Sequence, residues 1–399
     1  MFETDEKKEK FLLVGLKNAK LDELEELLIT LGGEVVEKVI QNLDEPINST
    51  YLGKGKIEEI KQMIIDAEAD GIICDDELTP AQIRNLEDEL ECKILDRTIL
   101  ILDIFAKHAT TREGMLQVEL AQLKNRVTRL VGSRSNLSRL GAGIGSKGPG
   151  EKKLEEDKRL IKERITIIKR ELKEVAKNKE LVRGKRQDLG KEIIAIVGYT
   201  NAGKSTLLNK LTDSNVLSED KLFATLDTVT RKLLLKNKKE CLITDTVGFI
   251  RKLPHHLIEA FKSTLEEAKY ADLIINVVDS SDKEWLEKQE LVHNILKELN
   301  VVNIPIITVY NKIDLGVTDE YRDLKANKIL KISVKEDINI DELKDIIYEE
   351  LNKNRFLIKQ IFSFSDMNKV NLIRKNELLL KEEYVEDGVY IEALVKRKY

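Results

Sequence analysis

The stretch KEIIAIVGYTNAGKSTLLNKL (191–211) decides the fold of this 399-residue chain. An apolar run leads directly into Gly198-x-x-x-x-Gly203-Lys204-Ser205, and a helical pattern follows. A strand, a glycine-rich turn and a helix in this order are typical of a phosphate-binding P-loop. The glycines let successive backbone N–H groups surround a phosphate, and the positive end of the helix adds to the attraction. The stretch therefore predicts an α/β fold with a nucleotide site.

The side chains of this loop predict how a nucleotide is held. Lys204 reaches the β- and γ-phosphates and is the catalytic residue we predict, while the Ser205 hydroxyl binds Mg²⁺. The side-chain carbonyl of Asn201 can coordinate a monovalent cation such as K⁺, or it can make an ordinary loop hydrogen bond, and the sequence leaves both open. The predicted nucleotide contacts are Gly198, Tyr199, Thr200, Asn201, Ala202, Gly203, Lys204, Ser205 and Thr206.

The segment KECLITDTVGF (239–249) is a predicted strand that ends in a second phosphate-sensing motif. Asp245 is placed to hold Mg²⁺ through water, and the Gly248 N–H is placed to sense the γ-phosphate. The next position holds Phe249, where Ras-like GTPases have a glutamine that orients the attacking water. Because an apolar side chain cannot polarise water, we predict slow intrinsic turnover that a partner accelerates. Nucleotide contacts are expected at Asp245, Thr246, Val247 and Gly248.

The residues at two more predicted strand ends favour a guanine site over an adenine site. In IPIITVYNKID (304–314) the carboxylate of Asp314 can accept both N1–H and N2–H₂ of guanine, and adenine does not offer this pair of donors. In ILKISVK (329–335) backbone N–H groups at the strand end can bind guanine O6. Four such elements in order favour a GTPase over an ATPase. The predicted guanine contacts are Asn311, Lys312, Ile313, Asp314, Ser333, Val334 and Lys335.

Composition is typical of a soluble globular protein. Hydrophobic residues make up 42% and charged residues 35%, which is too apolar for a disordered chain and too polar for a membrane protein. The three scattered cysteines argue against a disulfide framework and a Cys-type zinc site. The N-terminal MFETDEKKEK lacks the apolar stretch of a signal peptide, and no apolar run is long enough to span a bilayer. We expect a cytoplasmic protein.

Positive charge is concentrated in the middle of the chain. Residues 107–188 contain 22 Lys and Arg against 11 Asp and Glu, a local charge of +11, whereas the whole chain carries −5. The remainder therefore carries −16. A focused basic region on an acidic protein points to a polyanion partner, and a solvated helix face is the alternative.

Two heptad patterns in this basic region predict an antiparallel coiled-coil hairpin. The connecting loop GSRSNLSRLGAGIGSKGPG (132–150) is rich in glycine, so its backbone can approach another molecule closely. Its cations Arg134, Arg139 and Lys147 can meet phosphates, and a flexible tip without a partner is the alternative. The apolar heptad positions are Leu116, Leu120, Leu123, Val127 and Leu130, then Ile161, Ile165, Ile168, Leu172 and Val175. Since the apolar positions of the two helices in such a hairpin pack against each other within one chain, we expect a monomer.

These patterns predict an α/β chain with a doubly wound, mostly parallel P-loop GTPase domain and smaller parts around it. The expected boundaries are an N-terminal α/β domain at 1–105, a helical hairpin at 106–183, a linker at 184–191, the GTPase domain at 192–353 and a small C-terminal α/β appendix at 354–399.

The outer parts carry local signals of strands, helices and one acidic cluster. In the first part, strands are predicted at 11–16 and 71–76, and Thr79 with Pro80 begins a helix. The cluster Asp75-Asp76-Glu77 suggests either a metal site or an ordinary acidic loop before that helix, and we favour the loop. In the last part, strands are predicted at IFSFS and VYIEALVKRKY, with a helix near 368–374.

Four motifs resemble those of the HflX-type GTPases of the Obg/HflX group. Three longer stretches also look like the N-terminal and helical regions of that family, namely DDELTPAQIRNLE (75–87), DRTILILDIFAKHATTREGMLQVELAQL (96–123) and GIGSKGPGEKKLEEDKR (143–159). The resemblance covers about residues 51–345. The four motifs are Gly198-Tyr-Thr-Asn-Ala-Gly-Lys-Ser-Thr206, Phe223-Ala-Thr-Leu-Asp227, Asp245-Thr-Val-Gly-Phe249 and Asn311-Lys-Ile-Asp314.

The resemblance implies a GTPase that docks on the large ribosomal subunit and acts in splitting or rescuing stalled ribosomes under stress. It implies that the ribosome stimulates hydrolysis and that the hairpin tip faces ribosomal RNA. A switch threonine should complete the Mg²⁺ site, and spacing leaves Thr225, Thr228 and Thr230 as candidates. The resemblance selects Thr225 beside Ser205. It also adds nucleotide contacts at Phe223, Ala224, Thr225, Leu226 and Asp227.

Two departures from the family pattern affect the nucleotide site. Thr228 follows Asp227 where the family usually has proline, which should loosen this switch in the free protein. Val334 replaces a usual alanine, which is tolerable because the backbone acts there. The main alternative function is an RNA-binding or ribosome-binding module whose nucleotide domain senses GTP with little functional turnover.

Overall fold

The structure is a computed structural model that describes residues 8–132, 149–188, 191–212, 222–223, 228–236, 239–254, 257, 266–301, 303–316, 321–353 and 355–395. The chain forms two compact units. The first comprises Met1–Glu174, Lys221–Phe223 and Lys252–Phe261, and the second comprises Val175–Asp220, Ala224–Arg251 and Lys262–Tyr399. No helix in the described parts combines the length and the apolar character needed to cross a membrane.

The first unit begins with a four-stranded parallel sheet in the order β2-β1-β3-β4. Its predicted strands at 11–16 and 71–76 are both present, although the second ends at Cys74. The predicted helix start is also confirmed, because Thr79 accepts a hydrogen bond from the Gln82 N–H and Pro80 is the first helical residue. The strands are β1 (Lys10–Leu16), β2 (Glu34–Gln41), β3 (Gly71–Cys74) and β4 (Lys93–Asp96). The helices are α1 (Leu21–Leu31), α2 (Lys54–Ala67), α3 (Pro80–Leu90) and α4 (Arg97–His108).

The acidic cluster before α3 binds cations of the protein itself. Asp75 is 1% exposed, and its carboxylate lies 2.8 Å from Arg97 Nη2 and 2.5 Å from Lys252 Nζ. Lys252 Nζ also lies 2.6 Å from Asp76 Oδ1. Burial alone raises the pKa of Asp75, but the two neighbouring cations lower it below its usual value. The predicted loop before α3 is therefore confirmed, and within it Asp75 and Asp76 pair with cations of the protein.

The predicted antiparallel helical hairpin is confirmed. Arg112 bonds to Glu171, and seven residues further along α5 Glu119 bonds to Arg164, so the two helices run in opposite directions. The second helix continues to Asp188, so the predicted linker at 184–191 is helical over most of its length. The helices are α5 (Arg112–Gly132) and α6 (Pro149–Asp188). The described part of their seam contains Leu116, Leu120 and Ile168, flanked by Leu123, Ile165 and Leu172.

The second unit contains a six-stranded sheet in the order β10-β9-β8-β5-β7-β6, and only β6 runs antiparallel to its neighbour. Its central strand β5 is buried throughout and lies between β7 and β8. The loop after β5 therefore lies at the point where the strand order reverses, which is where ligands bind in open α/β sheets. The strands are β5 (Ile193–Gly198), β6 (Val229–Leu234), β7 (Glu240–Asp245), β8 (Leu273–Asp279), β9 (Ile306–Asn311) and β10 (Lys328–Lys331). The described α-helices are α7 (Lys204–Thr212), α8 (Trp285–Glu298) and α9 (Ile340–Asn352).

The C-terminal residues form a three-stranded antiparallel sheet in the order β11-β13-β12 with one α-helix. Two corrections apply here. The strand predicted at IFSFS ends at Phe362 and begins earlier, and β12 was not predicted. Its sequence LLLKEEYV groups apolar and charged residues in blocks, so it lacks the alternation that marks a half-buried strand. The elements are β11 (Phe356–Phe362), α10 (Met367–Asn376), β12 (Leu378–Val385) and β13 (Gly388–Val395).

Candidate nucleotide-binding site

The loop between β5 and α7 has a backbone that requires glycine at two positions. Gly198 has φ 151°, and a Cβ there would lie 2.3 Å from the carbonyl oxygen of Val277 in β8. Gly203 has φ 94°, and its Cβ would lie 2.4 Å from Asn311 Nδ2. Asn201 also adopts positive φ, at 60°. The loop can therefore wrap tightly at the sheet edge because no side chain stands at its two ends.

Lys204 is a buried cation at the start of α7. Its side chain is 7% exposed, and Nζ donates a hydrogen bond of 2.6 Å to the Tyr199 carbonyl oxygen. Burial lowers the pKa of Lys204 to about 8, and the nearby Asp245 carboxylate offsets part of that effect. A cation held in this way gains much from an anionic ligand, because a phosphate would replace the hydration that burial removes.

Ser205 and Asp245 meet beside Lys204. The Ser205 hydroxyl donates a hydrogen bond of 2.7 Å to Asp245 Oδ2, and Asp245 at the end of β7 is fully buried. A hydroxyl and a carboxylate are oxygen ligands of the kind that Mg²⁺ prefers. These two residues therefore fit a magnesium ion shared with a nucleotide. The third predicted participant, Thr225, lies outside the described residues.

The segment after Asp245 lies along the P-loop. The Phe249 N–H donates to the Gly198 carbonyl at 3.1 Å, and the Thr200 N–H donates to the Phe249 carbonyl at 2.8 Å. Phe249 is 1% exposed. Its ring is thus withdrawn from solvent, so this side chain supplies neither a donor nor an acceptor to an attacking water.

The guanine motif is held by hydrogen bonds to its neighbours. Asn311 donates to the Ala202 carbonyl at 3.0 Å and accepts from the Val334 N–H at 3.1 Å. The Ser333 hydroxyl donates to Asp314 Oδ1 at 2.6 Å. Asp314 is solvent-exposed, so its carboxylate remains accessible to a base. The residues predicted from two separate strand ends are therefore next to each other in the fold.

Some predicted residues are not brought to this arrangement. Phe223 belongs to the first unit and is buried edge-on against Phe105, with ring centroids 4.7 Å apart. Thr230 lies in β6 and bonds to the Thr244 hydroxyl at 3.0 Å, which argues against it as the switch threonine. The remaining predicted switch and hairpin-tip residues lie outside the described part, namely Ala224, Thr225, Leu226, Asp227, Arg134, Arg139 and Lys147.

Sequence reasoning missed several partners of the site. Asp279 at the end of β8 lies 2.7 Å from Lys312 Nζ, and the Tyr199 hydroxyl accepts from the Arg251 N–H at 2.8 Å. Lys288 Nζ lies 4.8 Å from the centre of the Tyr199 ring. Asp279 had a usable signal, since it ends an apolar run, LIINVVD (273–279), as the motif residues do. The Tyr199 contacts had none.

Three family models match successive parts of the chain. Residues 18–106 match a family described as GTP-binding GTPase N-terminal, and residues 108–186 match GTP-binding GTPase Middle Region. Residues 193–312 match a family described as 50S ribosome-binding GTPase.

Similar proteins cover nearly the whole chain. A GTPase HflX from Lacrimispora saccharolytica is 53% identical over 99% of this chain and 95% of its own length. A GTPase HflX from Caldanaerobacter subterraneus is 48% identical over 97% of this chain and 91% of its own length. The crystal structure of SsGBP in complex with GDP superposes with a TM-score of 0.50 at 27% identity, covering 86% of this chain and 99% of SsGBP.

Proposed function

This chain belongs to the HflX family of GTPases and is a GTP hydrolase, and we propose that it acts on the large ribosomal subunit to split or rescue stalled ribosomes under stress. A ribosomal partner is implied at the level of the family that residues 193–312 match. The choice of subunit, the splitting role and a cytoplasmic monomer are our proposals.

We assign the nucleotide contacts to the residues that converge at the edge of the six-stranded sheet. Lys204 contacts the β- and γ-phosphates, the Gly248 N–H senses the γ-phosphate, and Asp314 binds the guanine donors. The Ser205 hydroxyl and Asp245 hold Mg²⁺, and Thr225 completes the ion's site. Mg²⁺ supplies charge neutralisation at the phosphates when it is bound. The assignment is supported by the 2.7 Å hydrogen bond between Ser205 and Asp245 and by the electrostatic effect of Asp245 on the pKa of Lys204.

A monovalent cation at Asn201 remains part of the proposal. Among the described residues, the Asn201 side chain has no hydrogen-bond partner, although the residue is only partly exposed. The carbonyl of Asn201 is thus available to a cation, and we propose cation coordination over the alternative of a simple loop hydrogen bond. The rate of GTP hydrolysis should then differ between K⁺ and a large organic cation. Equal rates would favour the simple loop hydrogen bond instead.

The observation that carries the proposal is the position of Phe249. The side chain that follows the γ-phosphate sensor is apolar, 1% exposed and tied to the P-loop through its backbone. The chain therefore lacks, at this position, the group that orients water in Ras-like GTPases. Hydrolysis should be slow until a partner supplies or positions that group. A ribosome can do so because it is a separate molecule that can place its own groups at the site.

The ribosome is also the partner that fits the charge of the hairpin. Residues 107–188 carry +11 in a chain of net charge −5. Ribosomal RNA offers a dense array of phosphates, and such contacts dominate affinity for nucleic acids. We place the tip residues Arg134, Arg139 and Lys147 at ribosomal RNA.

GTP hydrolysis with and without purified large ribosomal subunits tests the proposal directly. We expect stimulation by about 10³-fold or more, as for a catalytic group supplied in trans. The stimulated rate should vanish in Lys204→Ala. If GTP binds but the subunits leave its turnover unchanged, the chain is better described as a nucleotide-sensing RNA-binding module.

A charge-matched pair of variants tests the hairpin contact. Replacing Arg134, Arg139 and Lys147 with glutamine should weaken binding to the large subunit and lower the slope of log affinity against log salt by about 2. The control replaces three exposed cations of the second unit with glutamine, namely Arg322, Lys325 and Lys328. Equal effects in the two triple variants would contradict a specific role for the tip.

A further inference from the structure

Residues 248–251 are docked on the P-loop by paired backbone. Tyr199 and Phe249 form an isolated parallel bridge, in which the Thr200 N–H donates to the Phe249 carbonyl and the Phe249 N–H donates to the Gly198 carbonyl. All of these residues belong to the second unit. Residues 248–251, which include the predicted γ-phosphate sensor Gly248, therefore form a short strand-like pairing with the phosphate-binding loop.

The Tyr199 hydroxyl adds a side-chain bond to this backbone pairing. Its oxygen accepts the Arg251 N–H at 2.8 Å, and Tyr199 is 6% exposed. The Arg251 guanidinium in turn lies 3.0 Å from Glu284. The end of the docked segment is thus attached at two points, and phenylalanine at position 199 would remove one of them while keeping the ring.

The docked segment contacts the groups that a triphosphate needs. P-loop N–H groups and the P-loop lysine bind phosphates, yet the Thr200 N–H is donated to Phe249 here. A Cβ built on Gly248 would lie 2.9 Å from Lys204 Nζ and 2.8 Å from Thr200 Cγ2. A γ-phosphate bound by Lys204 and sensed by Gly248 must therefore occupy the space between these two residues, which lie close together here. A diphosphate lacks that group and leaves the contact in place.

We propose that Tyr199 lowers the affinity of this protein for GTP relative to GDP by holding residues 248–251 against the P-loop. The inference rests on the proposed nucleotide site and adds a specificity-determining residue to it. The bond between the hydroxyl and the Arg251 N–H stabilises the docked arrangement, so its removal favours the arrangement that admits a γ-phosphate. Tyr199 acts through Arg251 and is a positioning residue.

The test compares the affinities of Tyr199→Phe for GDP and for a non-hydrolysable GTP analogue, each at fixed Mg²⁺. We expect the analogue to bind about 2- to 10-fold more tightly, the range that one net hydrogen bond accounts for, and GDP to bind as before. The matched control is Tyr321→Phe, which removes another buried tyrosine hydroxyl, bonded to the Ser280 carbonyl at 2.7 Å. That control should leave the ratio of the two affinities unchanged.

A second variant keeps the test informative if the first is unstable. Arg251→Ala breaks the pair with Glu284 at the same end of the docked segment, so it should shift the ratio in the same direction. Thermal unfolding reports whether each variant is folded. An unchanged ratio in the folded variants, or weaker binding of the analogue alone, overturns the role of Tyr199. If the unmodified protein binds neither nucleotide, the nucleotide site itself is contradicted.

Discussion

The guanine end and the phosphate end of the site are organised in different ways. At the guanine end, side chains already hold each other where a base would bind. Asn311 joins the P-loop to residue 334, and Ser333 orients the carboxylate of Asp314. Lys312 is fixed by Asp279. On the proposed assignment, we expect a base to bind here without breaking these contacts.

At the phosphate end, the groups with affinity for a ligand contact one another instead. Lys204 donates to a loop carbonyl, and the Ser205 hydroxyl donates to Asp245. The Thr200 N–H donates to Phe249. Several of these internal bonds must be exchanged for bonds to phosphate or metal when a nucleotide binds.

This difference separates recognition of the base from the response to the number of phosphates. A pre-organised end costs little to occupy, so it provides affinity and base specificity in every nucleotide state. An end made of exchangeable bonds couples the number of phosphates to the position of residues 245–251. Four predictions test this contrast between the two ends of the site.

The largest effect is expected at Lys204. Replacing it with alanine removes the buried cation that faces the phosphates, so kcat for GTP hydrolysis should fall by about 100- to 1,000-fold. Single-turnover hydrolysis at saturating GTP measures this. The control is Lys210→Ala in the same helix, where Lys210 pairs with Asp337 at 2.8 Å. A Lys204→Ala protein that retains a tenth of the activity would contradict the assignment.

The next effect concerns the base. In Asp314→Asn the side chain can still accept the Ser333 hydroxyl, so the local structure should persist. An amide cannot accept both guanine donors, and we expect GDP affinity to fall by about 100-fold. Xanthosine diphosphate should gain affinity, because the amide N–H₂ can donate to its C2 carbonyl.

Competition between the two diphosphates measures this change of preference. Asp337→Asn, at a half-exposed carboxylate, is the control, and it should keep the preference of the unmodified protein. Equal preference of Asp314→Asn and the control would mean that the guanine end reads the base by other groups.

A smaller effect follows from the pKa of Lys204, which burial lowers to about 8. Bound phosphates stabilise the ammonium form and raise that pKa, so above pH 8 binding must take up a proton. GDP affinity should therefore be nearly constant below about pH 7 and fall as the pH rises, by about fourfold between pH 7 and pH 8.5.

Calorimetry in buffers of different ionisation enthalpy measures the proton uptake. It should be near zero at pH 7 and should increase above pH 8. The control is Lys204→Arg, whose guanidinium stays charged over this range, so the uptake should disappear. Uptake that persists in Lys204→Arg would assign it to another group.

The last effect, of comparable size, is expected at a hydrogen bond that braces the guanine end. Ser333→Ala removes the bond to Asp314 and a second one, in which the Ser333 hydroxyl accepts the Glu336 N–H at 3.1 Å. We expect about 3- to 10-fold weaker binding of both GDP and the GTP analogue. Ser365→Ala, at an exposed serine near the C-terminal sheet, should leave both affinities as they are. A change confined to one nucleotide would show that the guanine end also participates in switching.

Much of the site could be predicted because its motifs are local and stand at strand ends. The P-loop, Asp245 and Asp314 each follow an apolar run, and parallel strands bring their carboxyl ends to one edge of a sheet. The hairpin was predictable for a related reason, since its heptad spacing is independent of the rest of the fold. Strand β12 was missed because its apolar residues do not alternate with polar ones.

The amino-acid sequence by itself determined the P-loop, the order of the guanine motifs and the placement of positive charge, because each depends on neighbouring residues. Only the tertiary structure decided that Tyr199 meets Arg251, 52 residues further along the chain, and that Asp75 and Asp76 bind Lys252. Such contacts depend on how separate elements pack. The sequence around a tyrosine or an aspartate does not indicate which distant residue its side chain will contact. Such contacts form only when the chain folds and its elements pack together.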